Sequence, residues 1–137
     1  MPPWVGTPPS RLDIVSAYYP ESTPPHEWKL RRCIVTDVLV DPDDGQVVCE
    51  VSYGTSQPSA YGSPFLHVHN FSDLTAMGLS KDTRFAMGER ALLPWSPPYF
   101  DCMYGRPTPI MGRLLASYHR DFAYCMAAYQ AAQQDAE

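Results

Sequence analysis

Positive charge is scarce in this chain. Lysine and arginine number 10 among 137 residues, against 15 aspartates and glutamates, for a net charge of −5. Phosphate contact normally leaves a basic footprint, so this balance counts against a protein that coats nucleic acid. No apolar run is long enough to cross a bilayer. No secretory leader precedes the four cysteines (Cys33, Cys49, Cys102 and Cys125), and no two of them form a CxxC pair. These absences predict a cytoplasmic protein whose thiols are reduced, small apolar fillers. A zinc centre needs paired ligands at short spacing. His67-Val68-His69 comes nearest, and no third ligand accompanies it, so neither metal nor cofactor is expected.

What is present suits a folded domain. Hydrophobic residues make up 45% and charged residues 18%, a mixture that can bury a core and that disordered chains do not have. The length predicts one domain over 11–137, preceded by an irregular, partly mobile Pro-rich arm over 1–10. The 15 prolines fall between patterned stretches, where they act as punctuation. Asp13–Tyr19 reads as a first strand. Arg32–Val40, a nearly continuous β-branched run, reads as a second strand buried on both faces. Gln46–Tyr53 alternates, with Val47, Cys49, Val51 and Tyr53 on one face. Phe65–Asn70, Thr83–Met87 and Ala91–Trp95 read as short strands, with a brief helix capped by Ser72 and ended at Gly78. Met111, Leu114, Leu115, Tyr118, Phe122, Met126 and Tyr129 recur at helical spacing and predict a long helix over 110–133. Short strands with tight connections and a terminal helix predict a mainly β fold, a small and strongly bent antiparallel barrel with the helix over one side.

The chemistry concentrates at one hairpin. Arg31-Arg32 opens the second strand, Asp41-Pro42-Asp43-Asp44-Gly45 turns it, and the returning strand ends in Tyr53-Gly54-Thr55-Ser56-Gln57. A reversal about Asp43 sets Arg32 opposite Gly54 and Arg31 opposite Thr55, with paired side chains about 5 Å apart. Guanidinium and hydroxyl groups then share one end of the hairpin, which is the equipment a phosphodiester requires. Lys29, Arg31 and Arg32 gather at that end, while Asp41, Asp43 and Asp44 crowd the other. A chain polarised in this way can hold phosphate locally and still be acidic overall.

These residues, in this order, resemble the PemK/MazF family of toxin-type endoribonucleases. Leu12-Asp13-Ile14-Val15 stands where the family carries Gly-Asp-Ile-Val. Glu27 precedes Arg32 by the family's interval of five, and Cys33 replaces the proline of its Arg-Pro pair. Thr55-Ser56-Gln57 matches the family's strand exit, and Gly78-Leu79 and Thr83-Arg84-Phe85 resemble a stretch of some PemK-like sequences. The resemblance spans about residues 11–100.

It implies an SH3-like barrel, a homodimer, a protein antitoxin as partner, and cleavage of single-stranded RNA without metal. Arg32 and Thr55 are the catalytic candidates it implies, with Glu27 in support. Lys29, Arg31, Ser56, Gln57 and Tyr53 are the RNA-binding candidates, and Tyr53, Tyr61 or Trp28 would stack unpaired bases. The RNA 2′-hydroxyl would attack the adjacent phosphate to leave a 2′,3′-cyclic phosphate, with Glu27 or His26 moving a proton. A second class of function fits the acidity: a non-catalytic binding module on the same barrel that occupies the basic channel of a nucleic-acid-binding protein.

Overall fold

A computed structural model describes residues 2–20, 29–56 and 64–135. The elements in chain order are β1 (Asp13–Tyr19), β2 (Lys29–Val40), β3 (Val47–Thr55), β4 (Phe65–Val68), α1 (Phe71–Ala76), β5 (Thr83–Ala86), β6 (Ala91–Pro94), β7 (Ile110–Arg113) and α2 (His119–Asp135). Short 3-10 turns cover Pro3–Gly6 and Ala116–Tyr118. The fold is mainly β. Among the described residues, seven antiparallel strands form one open sheet in the order β4-β5-β3-β2-β1-β7, with β6 also pairing to β3, and α2 follows at the C-terminal end. No helix among the described residues is long and apolar enough to cross a membrane.

The two-residue period of β1–β3 divides their side chains between two cores. Val15, Ala17, Cys33, Val35, Cys49, Val51 and Tyr53 join Trp95 and Phe100 on one face. Ile14 and Ile34 point to the other, where Leu66, Val68, Leu74, Phe85, Phe122 and Cys125 enclose them. β2 is therefore buried on both faces, as its unbroken β-branched run predicts. All four cysteines are free, with Cys33, Cys49 and Cys125 buried and Cys102 half-buried. The N-terminal arm reaches the core at Trp4. Trp4 is buried edge-on against Trp95, whose Nε1 donates to the Trp4 carbonyl at 3.2 Å.

Three local departures have physical causes. Residues 110–113 pair with β1 in place of opening the long helix. Pro107 and Pro109 lead into them, Gly112 is a poor helix former, and the outer edge of β1 offers unpaired backbone groups. Helix α2 consequently begins at His119. Asn70, not Ser72, caps α1, with its side chain accepting from the Ser72 and Asp73 amides. The β2–β3 ladder carries a bulge at Thr36. The buried Thr36 hydroxyl lies 2.7 Å from the Glu50 carboxylate and 3.1 Å from the Glu50 carbonyl.

Candidate functional site

The bulge sets which residues meet at the open end of the hairpin. Near the turn Val40 pairs with Val47, one step out of the register that a reversal about Asp43 gives. Beyond Thr36 the shift restores it, so that Cys33 stands opposite Tyr53. The ladder ends there. Arg32 and Arg31 continue in β2 against Ser16 and Ala17 of β1. Gly54 and Thr55 turn away to pair with Phe85 and Arg84 of β5. The expected cross-strand pair of Arg31 with Thr55 is thus replaced, because β3 leaves one half of the sheet for the other at Gly54.

Glycine permits that crossing. A Cβ at position 54 would meet Thr83 Cγ2 at 2.8 Å, Phe85 Cε1 at 3.0 Å and the Arg32 carbonyl oxygen at 3.1 Å. The divergence opens a cleft of about 360 Å³ between β2 and the end of β3. Arg31, Arg32 and Lys81 line it together with Gly54, Thr55, Ser56, Ser80 and Thr83, and Met103 and Tyr104 contribute to the lining. Among the described residues that line it there is no carboxylate. In a chain of net charge −5, a recess bearing three cations and several hydroxyls is a local inversion of sign.

Within the cleft Arg32 stands out. Its Nε is buried without a hydrogen-bond partner. An unmet buried donor costs about 1–3 kcal/mol, and more when the group is charged, so such an atom asks for an acceptor. The Arg32 guanidinium carbon lies 5.6 Å from the centre of the Tyr104 ring. Arg31 is held differently, 5.7 Å from the centre of the Tyr53 ring. Tyr53 is only 7% exposed and packs on Tyr19 with ring centres 4.8 Å apart, so it supports Arg31 and presents no face to a base. Lys29 is exposed at the start of β2, outside the cleft lining. Glu27 and Gln57 lie outside the described residues, as do His26, Trp28 and Tyr61.

A proline at position 33, which the family resemblance would put there, does not suit the place Cys33 occupies. Cys33 sits in the interior of β2 between β1 and β3, fully buried, with Sγ 3.7 Å from the Arg31 carbonyl. Proline in a central strand removes a ladder hydrogen bond. Burial, far more than it is offset by Arg31, pushes the Cys33 thiol well above its ordinary range, so it is a packing group and not a nucleophile.

Ser80, Lys81, Thr83, Met103 and Tyr104 were not foreseen as site residues. Lys81 and Thr83 fall beside the Gly78-Leu79 and Thr83-Arg84-Phe85 segments, which was a usable signal. Tyr104 had none, since it reaches the cleft only through tertiary contacts of the loop after β6. The histidine pair lies elsewhere: His67 Nε2 meets Asp82 Oδ1 at 2.5 Å and its ring centre is 4.9 Å from that of His69. No group of three metal-ligating side chains occurs among the described residues. Larger recesses, one of about 490 Å³ at Tyr18, Pro97 and Tyr99 and one of about 570 Å³ beside α2 at Tyr124 and Tyr129, lack the cation–hydroxyl pairing. No protein-family model matches the chain, and no curated protein matches it.

Proposed function

We propose that this chain is an endoribonuclease of the PemK/MazF kind, cleaving single-stranded RNA at the Arg32–Thr55 cleft. One observation carries the reading: a buried, unpaired Arg32 Nε in a recess that also gathers Arg31, Lys81, Thr55 and Ser56. A guanidinium fork and small hydroxyl donors suit the equatorial oxygens of a phosphodiester. The 2′-hydroxyl oxygen bonds to phosphorus and loses its proton, while the bond from phosphorus to the 5′-oxygen breaks and that oxygen gains a proton. A 2′,3′-cyclic phosphate and a free 5′-hydroxyl result. Arg32 offsets the charge that builds on the phosphoryl oxygens, a preorganised contribution of about 3–4 kcal/mol for one donor. Thr55 donates to the same oxygens, and Glu27 moves the proton. The bend at Gly54, where β3 passes from β2 and β6 to β5, supports placing the sheet among SH3-like barrels. A homodimer restrained by a protein antitoxin belongs to the same proposal.

The test is direct. Purified protein is incubated with mixed-sequence single-stranded RNA in EDTA, and the product ends are identified. Cyclic-phosphate ends are expected, with single-stranded DNA of the same sequence left intact. Arg32→Ala lowers the rate at least about 100-fold. Cleavage that survives Arg32→Ala at the parental rate sinks the proposal. Salt-sensitive binding without cleavage would instead assign the cleft to a non-catalytic binding module.

A further inference from the structure

Tyr104 is 82% exposed, yet its backbone and its position are tightly specified. Tyr104 and Gly105 have φ values of 51° and 72°, and the Arg106 amide donates to the Met103 carbonyl at 3.0 Å. Two successive positive φ angles across an i to i+3 hydrogen bond make a primed turn, a conformation that a tyrosine adopts only under tertiary constraint. The constraint is visible. Arg106 Nη1 donates to the Met111 carbonyl at 3.0 Å, and the Ser16 amide donates to the Pro109 carbonyl at 2.9 Å. The Ser16 hydroxyl donates to the Asp101 carbonyl. Ser16 is the β1 residue paired with Arg32. The residue that positions the Arg32 backbone therefore also pins the loop carrying Tyr104, and the ring is delivered to the rim of the cleft beside the guanidinium.

An exposed aromatic held next to a cation has a clear physical use. The turn already holds its backbone, so that part of the ordering cost is met before binding, and the ring is open to solvent. A nucleotide offers the matching pair of groups, a phosphate for the guanidinium and a flat base for the ring. We propose that Tyr104 is a base-stacking platform, holding one unpaired nucleobase adjacent to the phosphate that Arg32 engages. This rests on the RNA reading of the cleft and adds a subsite to it: the ligand is a base–phosphate unit of a single strand, not phosphate alone. Stacking accepts any base, so Tyr104 contributes affinity and registers the strand without dictating its sequence.

The experiment separates the ring from the charge. A fluorescently labelled short single strand of 2′-fluoro RNA, which lacks the attacking hydroxyl, is compared by anisotropy with an abasic strand of the same length and charge. Tyr104→Asn is the variant of choice, since asparagine tolerates the left-handed backbone. The parent protein is expected to bind the base-bearing strand about tenfold more tightly than the abasic strand. Tyr104→Asn removes that preference, and Tyr104→Phe keeps it. Arg32→Ala weakens both strands together. A parental preference retained in Tyr104→Asn, or no preference in the parent, overturns the stacking role and leaves the phosphate reading in place. Indifference of both strands to Arg32→Ala, or no binding of either strand by the parent, overturns the two together.

Discussion

Arg90 Nη1 lies 2.9 Å from Glu50 Oε1 in a contact that leaves only 5% of the Arg90 side chain exposed. The pair joins three layers. Glu50 accepts from the Thr36 hydroxyl at the bulge of β2, while the Arg90 guanidinium carbon sits 3.6 Å from the centre of the Tyr129 ring on α2. Arg90 Nε also donates to the Met87 carbonyl at 3.3 Å. The bulge that aligns Cys33 with Tyr53 is thereby tied to the packing of the helix against the sheet.

Breaking this pair from one side is expected to be severe. Arg90→Met leaves a carboxylate facing the bulge without its cation, at a cost of about 3–5 kcal/mol, whereas Arg90→Met with Glu50→Gln recovers much of the loss. Urea unfolding midpoints of the parent, both single variants and the double variant supply the cycle. Additive losses would show that the two groups act independently.

Two glycines differ in why they are glycine. A Cβ on Gly112 would fall on the Met77 carbonyl, where α1 ends against β7. Gly45 has open space around it but a φ of 73° in the β2–β3 turn. Gly112→Ala is expected to cost about 3 kcal/mol or more, because backbone must move. Gly45→Ala costs about 1 kcal/mol, and Gly45→Asn is near neutral. Denaturation midpoints that rank these three differently would refute the close-contact account of β7.

That contact also shows where local pattern stops being informative. The bounds of β1, and the two-faced burial of β2, were legible because alternation and β-branching act over neighbouring residues. The hairpin alignment was legible only in outcome: pairs near the turn that run one residue out of the expected register and a bulge at Thr36 combine to give the pairing that a simple reversal predicts. Residues 110–113 carry helical spacing, yet the free edge of β1 claims them. The co-location of Arg31, Arg32, Thr55 and Ser56 was legible, but its geometry was not. Thr55 reaches the cleft by pairing with Arg84, a partner almost thirty positions away in sequence. Tyr104 depends on what Ser16 binds, and no spacing rule encodes that.

The Tyr118 hydroxyl donates to Asp73 Oδ2 at 2.6 Å, linking the approach to α2 with α1. Burial first, then the hydrogen bond to Asp73 and the charges of Asp73 and Asp121, push the phenol up to about 12. The folded state thus holds the proton more tightly than the unfolded chain, whose tyrosines titrate near the ordinary value of about 10. The stabilisation is complete below about pH 10 and is lost as pH rises toward 12. Tyr118→Phe is expected to be less stable than the parent by about 1 kcal/mol at neutral pH, with the gap closing between pH 10 and 12. Stability differences measured at several pH values decide it, and a gap constant across that window would contradict the linkage.

The acidic turn and the cationic cleft occupy opposite ends of β2. From Val40 to Arg32 is eight strand steps, about 26 Å at a rise near 3.3 Å per residue. The Debye length is about 8 Å at physiological ionic strength and about 30 Å near 0.01 M. Asp43 and Asp44 are therefore screened from a ligand in the cleft under ordinary conditions, despite the net charge of −5. Asp43→Asn with Asp44→Asn is expected to leave affinity for a short single strand within about twofold at 0.15 M salt, and to raise it several-fold at about 0.01 M. Anisotropy titrations at the two ionic strengths distinguish the cases. An equal gain at both would mean that the strand reaches the turn itself, and that the ligand path runs along β2 and does not stop at the cleft.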